Sequence, residues 1–240
     1  RAMIMAKETA ERVVALNPGA TAAWEELGEL RARLSQPLAA QAALARAIEI
    51  SPRQTRAYYL LARLHRAQGQ LVEAQRIYEQ AAALQPPDSL SAQEIGDCLR
   101  QAGAPAKAAE YYRSSVSQGG GERVALLIAY AQTLQELKRA PEAEALLRFS
   151  LSAFPQEPPF DLLLGQLLLE QQRWDEASEA LRQALRIGPK SPNAYYGLAR
   201  IAAGKGRWLE AVGLLREGLR YNPHHRESLK LLDELEHRTG

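Results

Sequence analysis

Apolar residues recur along this chain at spacings of three and four, in blocks of roughly 13 residues separated by short breaks. TRAYYLLARLHRA, Thr55 to Ala67, and LVEAQRIYEQAAAL, Leu71 to Leu84, show the pattern. Residues three and four apart share one helix face, so each block predicts an amphipathic α-helix. The breaks alternate between two kinds. Prolines close similar phrases at Pro18, Pro52, Pro86, Pro155, Pro189 and Pro223, at spacings of 34, 34, 69, 34 and 34. About half a period before a closing proline stands a break such as Gln68-Gly69, Ala102-Gly103 or Lys205-Gly206. Glycine there supplies the left-handed conformation that ends a first helix, and proline stops the second. Each period therefore predicts two helices joined by a tight turn.

Small residues keep the same time. Ala40, Ala74, Ala108, Ala143, Ala177 and Ala211 recur at 34, 34, 35, 34 and 34, where the two helices of a pair must approach closely. The one irregular proline spacing, 69, is two periods plus one residue. Its missing marker falls at Gly120, inside SQGGGER (Ser117 to Arg123), and three glycines in place of a proline predict a softer joint between residues before and after it.

Composition agrees with an all-α chain, since Ala, Leu, Glu, Gln and Arg dominate. Charge is nearly balanced, 30 basic against 28 acidic residues, with 14 against 12 in residues 1–120 and 16 against 16 in 121–240. A grip on nucleic-acid phosphates calls for a basic excess, so this balance argues against a nucleic-acid partner. The single cysteine, Cys98, makes no internal disulfide. The longest apolar runs, Val124 to Ala131 and Leu162 to Leu169, are far shorter than a membrane span. Charges at Lys7, Glu8, Glu11 and Arg12 break the first segment, which does not read as a signal peptide. A soluble, cytoplasmic protein is expected, and the Arg1 start suggests part of something longer. High Arg over Lys, with abundant Ala and Leu, hints at a bacterial source.

The grammar resembles the tetratricopeptide repeat (TPR) family. Trp24, Leu27, Gly28, Ala40, Leu44, Ala47 and Pro52 match its W, L, G, A, F/Y, A, P pattern at its own spacing, and Tyr58, Leu61, Ala62, Ala74, Tyr78, Ala81 and Pro86 match it again. Ile95, Gly96, Ala108 and Tyr112 carry a third repeat without its proline; Ala131, Ala143, Leu147 and Pro155 a fourth. Leu164, Gly165, Trp174, Ala177, Leu181, Ala184 and Pro189 mark the fifth, and Tyr195, Leu198, Ala199, Trp208, Ala211, Leu215, Gly218 and Pro223 the sixth. The resemblance implies a right-handed superhelical solenoid of antiparallel helix pairs. Its expected parts are a second helix of a partial repeat (1–20), repeats at 21–54, 55–88, 89–123, 124–157, 158–191 and 192–225, and a capping helix (226–240). Ala6 and Val13 fall in packing slots of the first segment; Leu229, Leu232 and Leu235 are expected to face inward from the last.

Chemistry-bearing constellations are scarce. His224-His225 lies in a loop after Pro223, and His65 and His237 stand alone, so no zinc set is assembled. Cys98 reads as a small hydrophobe rather than a nucleophile. SQGGGER lacks the lysine and Ser/Thr of a phosphate loop. Neither metal nor cofactor nor catalytic residue is expected, and the chain reads as non-enzymatic.

In the resembled family the first helices line a concave groove that binds partner segments. Mapped here, that implies Glu25, Glu26 and Glu29, then Arg56, Tyr59, Arg63 and Arg66, then Gln93, Glu94, Asp97 and Arg100, a charged stretch. Ile128, Gln132, Leu162, Leu163 and Gln166 follow, more apolar, and then Tyr196 and Arg200. The lysines and asparagines of the family's chaperone-binding carboxylate clamp are missing, so no chaperone carboxylate is expected as ligand. The reading is an interaction scaffold for a peptide or helical segment of another protein. The alternatives are a substrate-recruiting arm of a larger enzyme, such as a glycosyltransferase or sulfotransferase, and, third, an RNA-binding helical repeat.

Overall fold

The computed structural model describes residues 2–239, which hold fourteen α-helices and one short 3₁₀ turn (Gly120–Glu122). They form two compact units that divide between Gly120 and Gly121, within the glycine run. The first unit contains α1 (Ala2–Leu16), α2 (Thr21–Arg33), α3 (Pro37–Ile50), α4 (Thr55–Ala67), α5 (Leu71–Leu84), α6 (Ser89–Gln101) and α7 (Pro105–Ser117). The second contains α8 (Val124–Glu136), α9 (Ala140–Ala153), α10 (Pro158–Glu170), α11 (Trp174–Ile187), α12 (Pro192–Gly204), α13 (Trp208–Tyr221) and α14 (Arg226–Thr239). In both units consecutive helices pair, α2 with α3, α4 with α5, α6 with α7, α10 with α11 and α12 with α13 most extensively.

The punctuation acts as its chemistry requires. The helices closed by Pro18, Pro52, Pro86, Pro155, Pro189 and Pro223 each end two residues earlier, at Leu16, Ile50, Leu84, Ala153, Ile187 and Tyr221. This is where the clash of the proline ring with the preceding residue takes effect. Between the helices of each pair one residue has positive φ: Ser35 (58°), Gly69 (75°), Gly103 (77°), Lys138 (56°), Gln172 (61°) and Gly206 (72°). The left-handed turn is thus made six times, in three cases by residues carrying a Cβ.

All six register alanines, Ala40, Ala74, Ala108, Ala143, Ala177 and Ala211, have no measurable exposure. Opposite them the first helix gives way as well: a Cβ built on Gly165 would lie 2.6 Å from Leu181 Cγ, and one on Gly96 2.6 Å from Tyr112 Cε1. These glycines let the helix axes approach with a large side chain wedged between them.

The ends differ from the sequence reading. On α1, Ala10 and Val14 are buried against Leu27 and Ala43, whereas Val13 is 42% exposed and Ala6 only half-buried. Among the described residues no first helix packs on that side of α1. On α14, Leu235 is buried and Leu232 half-buried, but Leu229 is exposed; Ser228 and Leu231 turn inward instead. His225 is not a free loop residue. Its Nε2 lies 2.7 Å from Asn193 Oδ1 and its Nδ1 2.7 Å from Ser228 Oγ, tying the start of α14 to α12.

Candidate functional site

In the first unit, α4 carries a stripe at helical spacing, Arg56, Tyr59, Leu60, Arg63, Leu64 and Ala67, that lines a trough between α2 and α6. Three cavities that share residues make it up. The middle one, about 410 Å³, is bounded by Glu29, Arg56, Tyr59, Arg63, Asp88, Leu90 and Ser91. It shares Glu29, Leu60 and Arg63 with a more apolar cavity of about 330 Å³ reaching Ala32, Leu44, Leu64 and Ala67. At the other end it shares Thr55, Tyr59, Asp88 and Ser91 with a cavity of about 430 Å³ walled by Gln85, Pro86, Pro87 and Gln118. Apolar, charged and proline-walled sections therefore follow one another along α4.

Acids and bases alternate in the charged section. Arg63 Nε donates to Glu94 Oε2 at 2.7 Å, and this charge-assisted bond holds the guanidinium further up in pKa against the cost of its partial burial. Arg56 lies 3.6 Å from both Glu25 Oε2 and Glu29 Oε2, and its side chain remains largely exposed. Glu25, expected on the surface, is 1% exposed and its Oε1 has no hydrogen-bond partner. Burial pushes its carboxyl up, and the facing Arg56 only partly offsets that. Tyr59 is buried against Tyr78, ring centroids 6.0 Å apart, and its hydroxyl lies beside Ser91 without a well-formed hydrogen bond. Burial raises that hydroxyl's pKa and keeps it neutral. At the trough's end Asp88 caps α6, accepting from the Ser91 amide at 2.7 Å.

Of the residues named from sequence, Arg56, Tyr59 and Arg63 come together here, and Glu94 joins them through Arg63. Arg66 and Gln93 are half-buried outside the cavity lining. Asp97 accepts a hydrogen bond from Tyr112 at 2.7 Å inside its own helix pair, and Arg100 sits against the same tyrosine, so both are engaged within the α6–α7 pair. In the second unit Ile128, Gln132, Leu162 and Gln166 are half-buried, while Leu163 is 7% exposed and belongs to the core, which corrects its expected place on a binding face. The reason is that α10 is enclosed on nearly every side: Phe160, Leu163, Leu164, Leu167, Leu168 and Leu169 are all buried. Tyr196 stacks at a tilt on His225, 5.8 Å between centroids, and the exposed Arg200 guanidinium stands 5.9 Å from its ring. Thr55, Asp88, Leu90 and Ser91 were missed. Thr55 begins the same i, i+4 stripe as Tyr59 and Arg63, a signal the sequence holds; the other three come from the loop and start of α6, which only folding brings alongside α4.

Among the described residues no group of three or more His, Cys, Asp or Glu is placed to hold a metal ion, and no helix is long and apolar enough to cross a membrane. Cys98 is buried, and burial pushes its thiol up, as for a packing residue.

Comparison with known proteins follows the geometry. Two sequence profiles, both described as tetratricopeptide repeat, match the chain, one at residues 32–93 and the other at 128–192 and 162–225, together well over half of it. No curated protein sequence matches. Among solved structures, the C-terminal part of a TPR repeat-containing protein from Cytophaga hutchinsonii aligns with TM-score 0.76 at 12% identity, covering 95% of this chain and 94% of that one. PilF of Pseudomonas aeruginosa aligns with TM-score 0.67 at 18% identity, covering 90% and 97%. A chain of the APC/C hetero-tetramer Cut9-Hcn1 aligns with TM-score 0.60 at 19% identity over 98% of this chain, which spans only 46% of that one. At these identities the likeness is one of fold.

Proposed function

Because the chain belongs to the tetratricopeptide repeat family, we propose that it is a protein–protein interaction scaffold and that the trough over α4 receives a segment of a partner protein. One observation carries the proposal: three cavities joined by shared residues along a single helix, with Arg56, Tyr59 and Arg63 at their centre. The sequence of walls favours a segment that is apolar at one end and carries both signs of charge further along. Arg56, with a largely exposed side chain held only by 3.6 Å contacts, is the cation most free to re-pair with an incoming carboxylate. The exposed Leu90 at the rim adds apolar area for contact.

The test is selection of binding peptides from a random 12-residue display library on the 240-residue chain, followed by affinity measurement on variants. Arg63→Glu and Leu90→Glu should each weaken the selected peptides about tenfold or more, with helical circular dichroism unchanged. Leu162→Glu, in the other unit, should leave affinity as it was. Peptides that bind all three variants like the unaltered chain would sink the assignment of the trough.

A further inference from the structure

A further cavity, of about 300 Å³, lies in the other unit between α9 and α11 with α10 as its floor. Leu164, Leu168 and Ala180 make its apolar walls, and Asp161 in the first turn of α10 lies at its base. Asp161 is 6% exposed, its Oδ2 is sealed from solvent without a partner, and no hydrogen bond or ion pair reaches the carboxylate among the described residues. A carboxylate held this way is costly unless a cation or donor completes it.

The charged groups around it are mostly committed to each other. From α9, Arg148 donates to Glu144 at 2.8 Å and stands 3.3 Å from Glu176. From α11, Glu176 is held by Arg173 at 2.6 Å. That leaves Glu179 and Arg186, both on α11, lining the cavity with no ion pair of their own among the described residues. Helices α8 and α12, on the other sides of α10, put no charged group into it. Setting the committed pairs aside, two carboxylates face one guanidinium, and Arg186 acts on the deeper one, Asp161, through its charge alone, without a hydrogen bond.

We propose that this cavity is a binding site for the ammonium end of a lysine side chain from a partner protein, seated on Asp161 with its alkyl stem along Leu164, Leu168 and Ala180. Three features select that chemistry. With Oδ2 sealed, Asp161 presents one oxygen, which suits the point charge of an ammonium and not the two-pronged fork of a guanidinium. Apolar walls above a single acid match an alkyl stem with one charged tip. Arg186, the lining cation without an ion pair among the described residues, opposes a second positive charge, which disfavours free diamines. Burial holds the Asp161 carboxyl at about 6, so it is ionised at neutral pH and mostly protonated at pH 5.

The test uses the full 240-residue chain, with Nα-acetyl-lysine methylamide, methylguanidinium and putrescine as probes, and follows the side-chain carboxyl ¹³C resonances by NMR at pH 7.5. The lysine derivative should shift the Asp161 resonance saturably and bind about tenfold more weakly at pH 5, in line with the ionised fraction at an Asp161 pKa of about 6. Asp161→Asn should abolish binding, Glu179→Gln should weaken it severalfold, and Arg186→Gln, which removes the competing cation, should tighten it. No saturable shift in the unaltered chain, or equal binding by Asp161→Asn, would overturn the site. Tighter binding of methylguanidinium would overturn the choice of lysine, and tighter binding of putrescine the choice of a protein partner.

Discussion

The hydroxyl of Tyr112 donates to Asp97 Oδ1 at 2.7 Å, from a side chain with no solvent exposure. Tyr78 occupies the same slot 34 residues earlier and is just as buried, yet its hydroxyl has no partner. The position corresponding to Asp97 is Arg63, whose Nε is turned toward Glu94. One substitution within a repeated frame separates a satisfied polar group from an orphaned one.

Opposite outcomes are therefore expected from the same chemical change. Tyr112→Phe removes a hydrogen bond to a carboxylate and should lower unfolding free energy by roughly 1.5–3 kcal/mol. Tyr78→Phe removes a buried hydroxyl that bonds to nothing and should be neutral or stabilising by up to about 1 kcal/mol. Urea denaturation of the two variants checks the pair; equal losses would refute the contrast.

Asp161 makes stability depend on pH. Its folded pKa of about 6 is above the ordinary carboxylate value, so the folded state takes up a proton that the unfolded chain releases. The stability this contributes is complete below about pH 4 and lost as pH rises through 6. Asp161→Asn should consequently stabilise the protein at pH 7.5, by ~3 kcal/mol at most, with the gain shrinking toward zero near pH 4. Thermal melts of variant and parent across that range read the difference.

The left-handed turns give an asymmetric pair. A Cβ at Gly69 would meet nothing within 4 Å, so Gly69→Ala is expected to cost about 1–2 kcal/mol through φ strain alone. Lys138 already carries that strain, and Lys138→Gly trades it for the greater entropy glycine loses on folding, leaving stability within about 0.5 kcal/mol of the parent.

Close approach within the pairs can be tested by volume. Ala177 and Ala211 have no exposed surface, and replacing either by Leu should cost roughly 1–3 kcal/mol through overpacking. Neutral behaviour at both positions would contradict the tight helix contact there.

Much of this fold was legible because it is written six times. Proline stops, register alanines and the glycine turns report local backbone constraints, which a sequence carries openly. The turns at Ser35, Lys138 and Gln172 were not legible from residue type, since the left-handed torsion there is imposed by the helices on either side. The trough was half legible: Arg56, Tyr59 and Arg63 follow from the α4 stripe, but Asp88, Leu90 and Ser91 reach it from the next helix pair. Leu163 misled because its apolar character fits a core face as well as an exposed one, and only packing around α10 decides between them. Asp161 carried no signal, since its meaning lies wholly in what fails to surround it.

The regular spacing of the turns makes the first unit divisible. Excising residues 54–87 would join Arg53 to Asp88, take out one whole period and retain the side chain that caps α6. The shortened chain should keep cooperative, helical folding, because the junction brings together ends that every period presents alike. It should also lose every peptide the trough had captured, since Arg56, Tyr59 and Arg63 leave together. Architecture in this molecule is modular and redundant, while the α4 side chains of the proposed trough all fall within one dispensable period.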